Sequence, residues 1–346
     1  MSTMKAAIYT DLEKIVVQDV EKLAPPSGHV MIDTKCTGIC GSDLHHYFGE
    51  WKASSSLAQG HETCGVVVQV ADDVTGFQTG DKVVIECFSH CEVCVYCRSG
   101  EYNHCVERKW IHTGTHGGFA QYSTAHASGL FKIPDSMSFE EGALVEPLAV
   151  GHRALSQAKA TAQDRVAIIG GGTIGLMCLA VAKAFGVRET LITVKYPQQA
   201  KLAKALGADH IVQVTETDIK EAVNDITDGI GMDVVIETVG GATNFNDTMS
   251  VVRKCGRVVL VAGYFEPLTV NLAPLVWSEA IITGSNCYGI SGLQTDFQAT
   301  IDLMTAGRID PTPLVTHRYD FADVAEAFKV AADKQSGSVK VHLVQE

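Results

Sequence analysis

The sequence predicts an α/β fold of two kinds of unit: a β-rich, turn-punctuated part, then a doubly wound parallel sheet covered by helices. Two observations carry this. From residue 4 to about 150, short strand-like segments alternate with turn clusters. From about 160, unbroken apolar strands alternate with helical stretches, the rhythm of a parallel sheet buried on both faces. The apolar run VAIIGGGTIGLMCLAVAKAFGV (166–187) is long enough to imitate a membrane span. Its glycines and Lys183 make it a buried strand, a turn and a helix instead.

In order, KAAIYT, HVMIDTKCTG, TCGVVVQVA and DKVVIEC read as strands of a partly closed β unit, separated by PPSG, DDVTGFQTGD and a cysteine-rich loop. RVAIIG then opens the second rhythm, followed by a helix over 173–185, the strand LITV and the helix PQQAKLAKALG ending at Gly207. HIVQ, TDIKEAVNDITDG, MDVVIETVG, a helix after Ala242 and GRVVLVAG continue it. Two helices, LQTDFQATIDLMTAG and FADVAEAFKVAAD, and the strand VKVHLV close the chain.

The chain has 346 residues, 46% of them apolar, which suffices for two cores. Its formal charge of −13 is not offset by any basic block, so neither nucleic acid nor an acidic membrane surface is an expected partner. MSTMKAAIYTDLEK lacks the features of a secretory signal, and eleven cysteines then point to a reducing, cytoplasmic setting with bound metal rather than disulfides.

Cys91, Cys94, Cys97 and Cys105 stand as C-x2-C-x2-C-x7-C. Four thiolates from one loop can surround Zn²⁺ and leave no open position, so this site is structural. Cys87 ends an apolar strand and reads as a core residue. The chemistry must therefore lie elsewhere.

Gly170, Gly172 and Gly175 form G-x-G-x-x-G directly after a strand and before a helix, with Thr173 and Ile174 inside the motif. Such glycines allow a tight turn, close approach of backbone to a pyrophosphate, and close helix–strand packing. The next strand should end in an acid that grips the adenine ribose. Here it ends in Val194 followed by Lys195, with no Asp or Glu between Thr190 and Ala208. That lysine would welcome a 2′-phosphate, so the reading favours NADP over NAD. Val239, Gly240, Val261 and Gly263 follow later strands and are the expected floor under the nicotinamide.

Three separated segments, GICGSDLHHY (38–47), GHE (60–62) and LVEPLAVG (144–151), carry Cys40, His61 and Glu146, all of zinc-ligating types. Three protein ligands and an open position are the pattern of a catalytic zinc. Together with the cysteine loop, GGFAQY (117–122) and GGGTIG, these segments make the whole chain resemble the zinc-dependent medium-chain dehydrogenases, which include alcohol, sorbitol, threonine and butanediol dehydrogenases.

The resemblance implies a GroES-like catalytic domain interrupted by a Rossmann domain. The expected boundaries are 1–152, with the zinc lobe at 87–105, then 153–284, then 285–346 completing the first domain. It also implies roles. Cys40 and His61 become catalytic zinc ligands, and Glu146 matches the glutamate completing the metal environment in the sorbitol dehydrogenase branch. Glu62 matches a glutamate that approaches the metal directly or through water, and Ser42 and His45 match a proton relay. Two zinc ions per chain and a dimer or tetramer are implied as well. Glu92 stands where the family often has glycine, and GSNCYG (284–289) lacks an arginine common in sorbitol-type enzymes.

The expected reaction is hydride transfer between an alcohol or ketone and NAD(P). A glutamate-containing site and the small residues SSS (54–56) suggest a polar secondary alcohol: a polyol, sugar acid, diol or amino alcohol. Tyr47, Trp51 and Trp110 are candidate pocket walls or ordinary packing residues. The competing expectation is a nucleotide-binding structural or sensor protein with the cysteine lobe alone metallated.

Overall fold

The computed structural model describes residues 2–53 and 56–346. Contacts divide them into two compact units, one comprising residues up to Glu146 with Phe297–Thr305 and Val315–Glu346, the other Pro147–Asp296 with Ala306–Leu314. The segment expected to complete the first domain from 285 onward is thus shared. Residues 285–296 stay with the second unit because Asp296 accepts from His152 at 2.6 Å and from the Gly289 amide at 2.7 Å.

The first unit is built on a seven-stranded sheet. Its order runs Val315–Asp320, Lys340–Val344, His29–Ile39, Glu62–Val70, Lys82–Ile85, Leu130–Lys132, with Tyr122–His126 also paired to His29–Ile39. Only the pair Val315–Asp320 and Lys340–Val344 is parallel. A hairpin of Thr3–Asp11 and Lys14–Glu21 packs with the helix Val324–Ala332 into one core. There Phe328 meets Phe119 and Tyr9 edge-on, at centroid distances of 5.4 and 5.8 Å. The hairpin's second strand was not evident in the sequence, because KIVVQDVE is exposed or half-buried along most of its length.

The second unit is a six-stranded parallel sheet. Numbering its strands along the chain gives the order 3-2-1-4-5-6: His210–Gln213, Glu189–Val194, Arg165–Ile169, Met232–Glu237, Val252–Leu260, Ile281–Gly284. This is the dinucleotide-binding order, with the chain reversing direction at the first strand. The run 166–187 is indeed strand, turn and helix. The helix Thr173–Phe185 starts on Gly172 and stops where Gly186 adopts φ +69°, a left-handed cap that costs glycine little. Asp218 starts Ile219–Thr227 by accepting from the Lys220 and Glu221 amides. No helix among the described residues is long and apolar enough to cross a membrane.

Candidate active site

Strand His29–Ile39 delivers Cys40 to the start of the short helix Gly41–Tyr47. The Cys40 amide donates to Asp43 Oδ2 at 2.8 Å, which fixes the turn through the main chain. The neighbouring strand Glu62–Val70 pairs Glu62 with Gly38, and its entry brings His61 beside Cys40. A side chain at Gly38 would collide with the Glu62 carboxylate, so glycine is needed there. One ligand atom from each of Cys40, His61 and Glu62 lies within 4.8 Å of the others.

The field at this point favours positive charge. Burial opposes a proton on His61, yet Asp43, Cys40 and Glu146 together hold its pKa well above the ordinary imidazole value. Asp43 Oδ1 lies 3.8 Å from His61 Nδ1, beyond hydrogen-bond reach but close enough for its charge to act on the ring. Burial raises Asp43 to about 6. A soft thiolate, an imidazole and a carboxylate converging in such a field suit Zn²⁺.

Glu146 is 6% exposed and its charge is felt by His61 and Lys340, but it is not one of the three converging residues. Glu62 occupies that place. Both of its oxygens also accept from Lys340 Nζ, at 2.6 Å each, and Lys340 donates further to the Ile39 carbonyl at 3.0 Å. This pair is almost completely buried, at 2% and 1% side-chain exposure. Lys340 escaped the sequence reading, and its only signal was a lysine in the mostly apolar strand VKVHLV. Lys340→Met keeps the length but strands a buried carboxylate, so it should lower unfolding free energy by about 3–5 kcal/mol. A urea titration showing under about 1 kcal/mol of change would mean the pair does not hold Glu62.

Ser42 is half-buried on the same helix as His45. The His45 ring is paired with Glu50 and stacked on Trp51 at 4.7 Å. Tyr47 is 4% exposed and packs on Phe328, a core residue rather than a pocket wall. Trp110 stands against Phe88 and Arg108 and lines a separate cavity of about 210 Å³ with Phe88 and His126. Ser54 and Ser55 lie outside the described residues.

The four loop cysteines converge. Cys97 Sγ lies 3.5 Å from Cys94 Sγ and 3.9 Å from Cys91 Sγ, while the amides of Cys91 and Glu107 each approach Cys105 Sγ at 3.3 Å. Backbone N–H groups of Cys97 and Val106 lower the Cys94 thiol to about 6, whereas burial and the neighbouring sulfurs raise Cys97. The cluster cannot ionise fully without a cation at its centre, and Zn²⁺ fits it. Glu92 sits at φ +63°, which explains why glycine would be at ease there.

In the second unit Gly170, at φ +107°, donates its amide to Thr193 Oγ1 at 2.8 Å. Side chains at Gly170 and Gly175 would strike Val239 and the Gly170 carbonyl, respectively. Gly172, Thr173 and Ile174 form the helix start expected to face a pyrophosphate. Val194 is 1% exposed and packs toward Gly171, whereas Lys195 is exposed with its ammonium over the Tyr196 ring.

A buried carboxylate organises the expected nicotinamide floor. Glu237 Oε1 accepts from the Val239 and Gly240 amides, both at 2.7 Å, and Oε2 accepts from the Tyr264 hydroxyl at 2.6 Å. The Val261 amide bonds the Glu237 carbonyl at 2.8 Å. One residue thus ties the loop at 239–240 to the loop at 261–264. Its sequence signal is an acid closing the apolar run DVVIE, legible only once that strand is central.

Residues 26–135 match the model of the alcohol dehydrogenase GroES-like domain, and 173–306 match that of zinc-binding dehydrogenases. The chain is 33% identical to a sorbitol dehydrogenase of Halalkalibacterium halodurans, over 98% of this chain and 99% of that protein. Among solved structures, a short chain alcohol dehydrogenase of Escherichia coli complexed with NADH superposes with a TM-score of 0.91 at 26% identity, covering all of both chains. A candidate zinc-binding dehydrogenase of Sinorhizobium meliloti bound to NADP gives 0.90 at 26% identity, again over the full length of both.

Proposed function

The chain belongs to the zinc-dependent, NAD(P)-linked medium-chain alcohol dehydrogenase family, and from that premise we propose that it interconverts a polar secondary alcohol and the corresponding ketone. The observation that carries this is the convergence of Cys40, His61 and Glu62 within 4.8 Å, where the charges of Asp43, Cys40 and Glu146 favour a cation. Cys40 and His61 would hold the catalytic zinc, with Glu62 and Glu146 supplying the surrounding negative charge, and the four loop cysteines would hold a structural zinc. When bound, the catalytic metal supplies Lewis acidity at the alcohol oxygen and the nicotinamide accepts the hydride.

The protein's own work is positional. Asp43 sets a carboxylate beside His61, and Lys340 holds Glu62 in place. Ser42 takes the alcohol proton and His45 passes it on. The His45 side chain is 37% exposed, so the proton reaches solvent without leaving a charge buried in the site. Glu237 steadies the loops expected under the nicotinamide.

The substrate reading rests on kinship with a sorbitol dehydrogenase and on the acid-rich metal environment. One similar structure holds NADH and another NADP, so the cofactor is argued from this chain's residues. Lys195 is exposed just past the buried end of its strand, where it could meet a 2′-phosphate; this supports NADP. The test is a panel of polyols, sugar acids, diols and amino alcohols assayed with each cofactor. Lys195→Ala should lower the NADP-to-NAD ratio of kcat/KM about tenfold or more, the worth of one charge-assisted contact. An unchanged ratio, in a protein already preferring NAD, removes Lys195 from cofactor choice.

A further inference from the structure

The chain that leaves the helix Gly41–Tyr47 turns back onto His45. Phe48 ends the helix in ordinary helical backbone, and Gly49 then takes φ +73°, a left-handed corner that favours glycine. A side chain at Gly49 would also collide with Leu12. Past this corner the amides of Glu50 and Trp51 both donate to the His45 carbonyl, at 2.9 and 3.2 Å. The returning segment thereby sets two side chains on one ring. The Glu50 carboxylate bonds His45 Nδ1, and the Trp51 indole stacks on the ring at 4.7 Å.

A carboxylate only accepts, so its bond to Nδ1 requires the proton there, and in the neutral ring Nε2 is then the accepting nitrogen. Stacking on Trp51 limits rotation of the ring, so fixing the nitrogen also fixes a direction. Ser42 and His45 stand three apart on one helix, the spacing at which side chains are neighbours on a face. A carboxylate beside a base also stabilises the imidazolium that forms when the base takes a proton. The His45 and Glu50 side chains are 37% and 57% exposed, so the pair works at the edge of the water that finally receives the proton. Glu50 was not singled out in the sequence, because an acid in a turn reads as a solvated residue.

Resting on the dehydrogenase reading above, we propose that Glu50 is a positioning residue of the proton path: it holds His45 in its Nδ1–H form, so that Nε2 takes the proton Ser42 releases, and it steadies the ring while charged. In alcohol oxidation Ser42 Oγ takes the alcohol's proton as it gives its own to Nε2. The ring then yields that proton to water and returns to its starting form. One proton enters and one leaves, and no electron moves in this step.

The test uses the zinc-loaded protein with two probes, sorbitol and butane-2,3-diol. Single-turnover oxidation, read as NAD(P)H formation by stopped flow, keeps slow product release out of the measurement. Glu50→Ala should slow it about five- to tenfold at saturating alcohol, with the half-saturating concentration within about twofold of wild type. That is well short of the roughly 10²–10⁴ a placed base contributes, because the pair is exposed. Glu50→Gln keeps an acceptor oxygen without the charge and should recover part of the loss. Added imidazole should restore part of the Glu50→Ala rate and leave wild type unchanged. Zinc content and Tm establish that each variant is folded. Nitrogen NMR of protein labelled with ¹⁵N-histidine, with the His45 signals assigned by difference against His45→Gln, reads the ring independently of turnover. Wild type should carry the proton on Nδ1, and Glu50→Ala should lose that preference. Oxidation of neither probe would sink the dehydrogenase reading and the relay with it, while the ring spectrum still decides whether Glu50 sets the His45 proton. A wild-type ring protonated on Nε2, or a Glu50→Ala rate within about twofold of wild type where His45→Ala is slow, overturns the proposal.

Discussion

Cys40→Ala is expected to cost about 10³-fold or more in alcohol oxidation, because several kcal/mol of charge stabilisation leave with the metal and each 1.36 kcal/mol is tenfold. The fold should survive. Cys40 is only half-buried, and the bond that sets its turn runs from its backbone amide to Asp43, which alanine keeps. Cofactor affinity should also hold, since the glycine turn lies in the other unit. His61→Ala should behave the same way. The check is kcat/KM alongside zinc content, which should fall from two ions per chain to one. Near-normal turnover by Cys40→Ala would remove this trio from the reaction.

Cys97→Ser should act on stability instead. The lobe around it has little apolar core: Val93, Val95 and Val106 are 65%, 71% and 68% exposed. Tyr102 anchors the far end of the lobe by donating to Glu86 and packing on Phe88, while the turn from Cys91 to Cys97 rests on the sulfurs and their N–H donors, so metal affinity there contributes to folding free energy. Several kcal/mol lost from this unit corresponds to a fall in Tm of about 10 °C or more. A shift below about 2 °C in a calorimetric scan would show that the lobe is held without its metal.

These two sites differ in how legible they were. The cysteine lobe and the G-x-G-x-x-G turn are local, so residue spacing alone carries their geometry. Cys40, His61 and Glu146 are far apart in sequence, so only their ligand types and the family resemblance joined them. The structure then drew Glu62, rather than Glu146, into the converging trio, because strand pairing sets Glu62 directly across from Gly38.

Lys340 lay beyond sequence reasoning for a plainer reason: it is 278 residues from Glu62, and the sheet order that makes them neighbours is a tertiary fact. Tyr47 and Trp51 could not be told apart as aromatic neighbours on one segment. Packing sends Tyr47 into the core against Phe328 and leaves Trp51 stacked on His45. Most of the parallel sheet was easy to read, because its central strands carry unbroken apolar runs, whereas the edge strand Ile281–Gly284, exposed or half-buried along its length, was not read.

The central claim is that this chain carries a catalytic zinc at Cys40 and His61, apart from the structural one. Anomalous diffraction at the zinc edge, from protein prepared with zinc, tests it most directly. Two peaks per chain are predicted, one among Cys91, Cys94, Cys97 and Cys105 and one touching Cys40 and His61. A single peak, confined to the four-cysteine lobe, would contradict it.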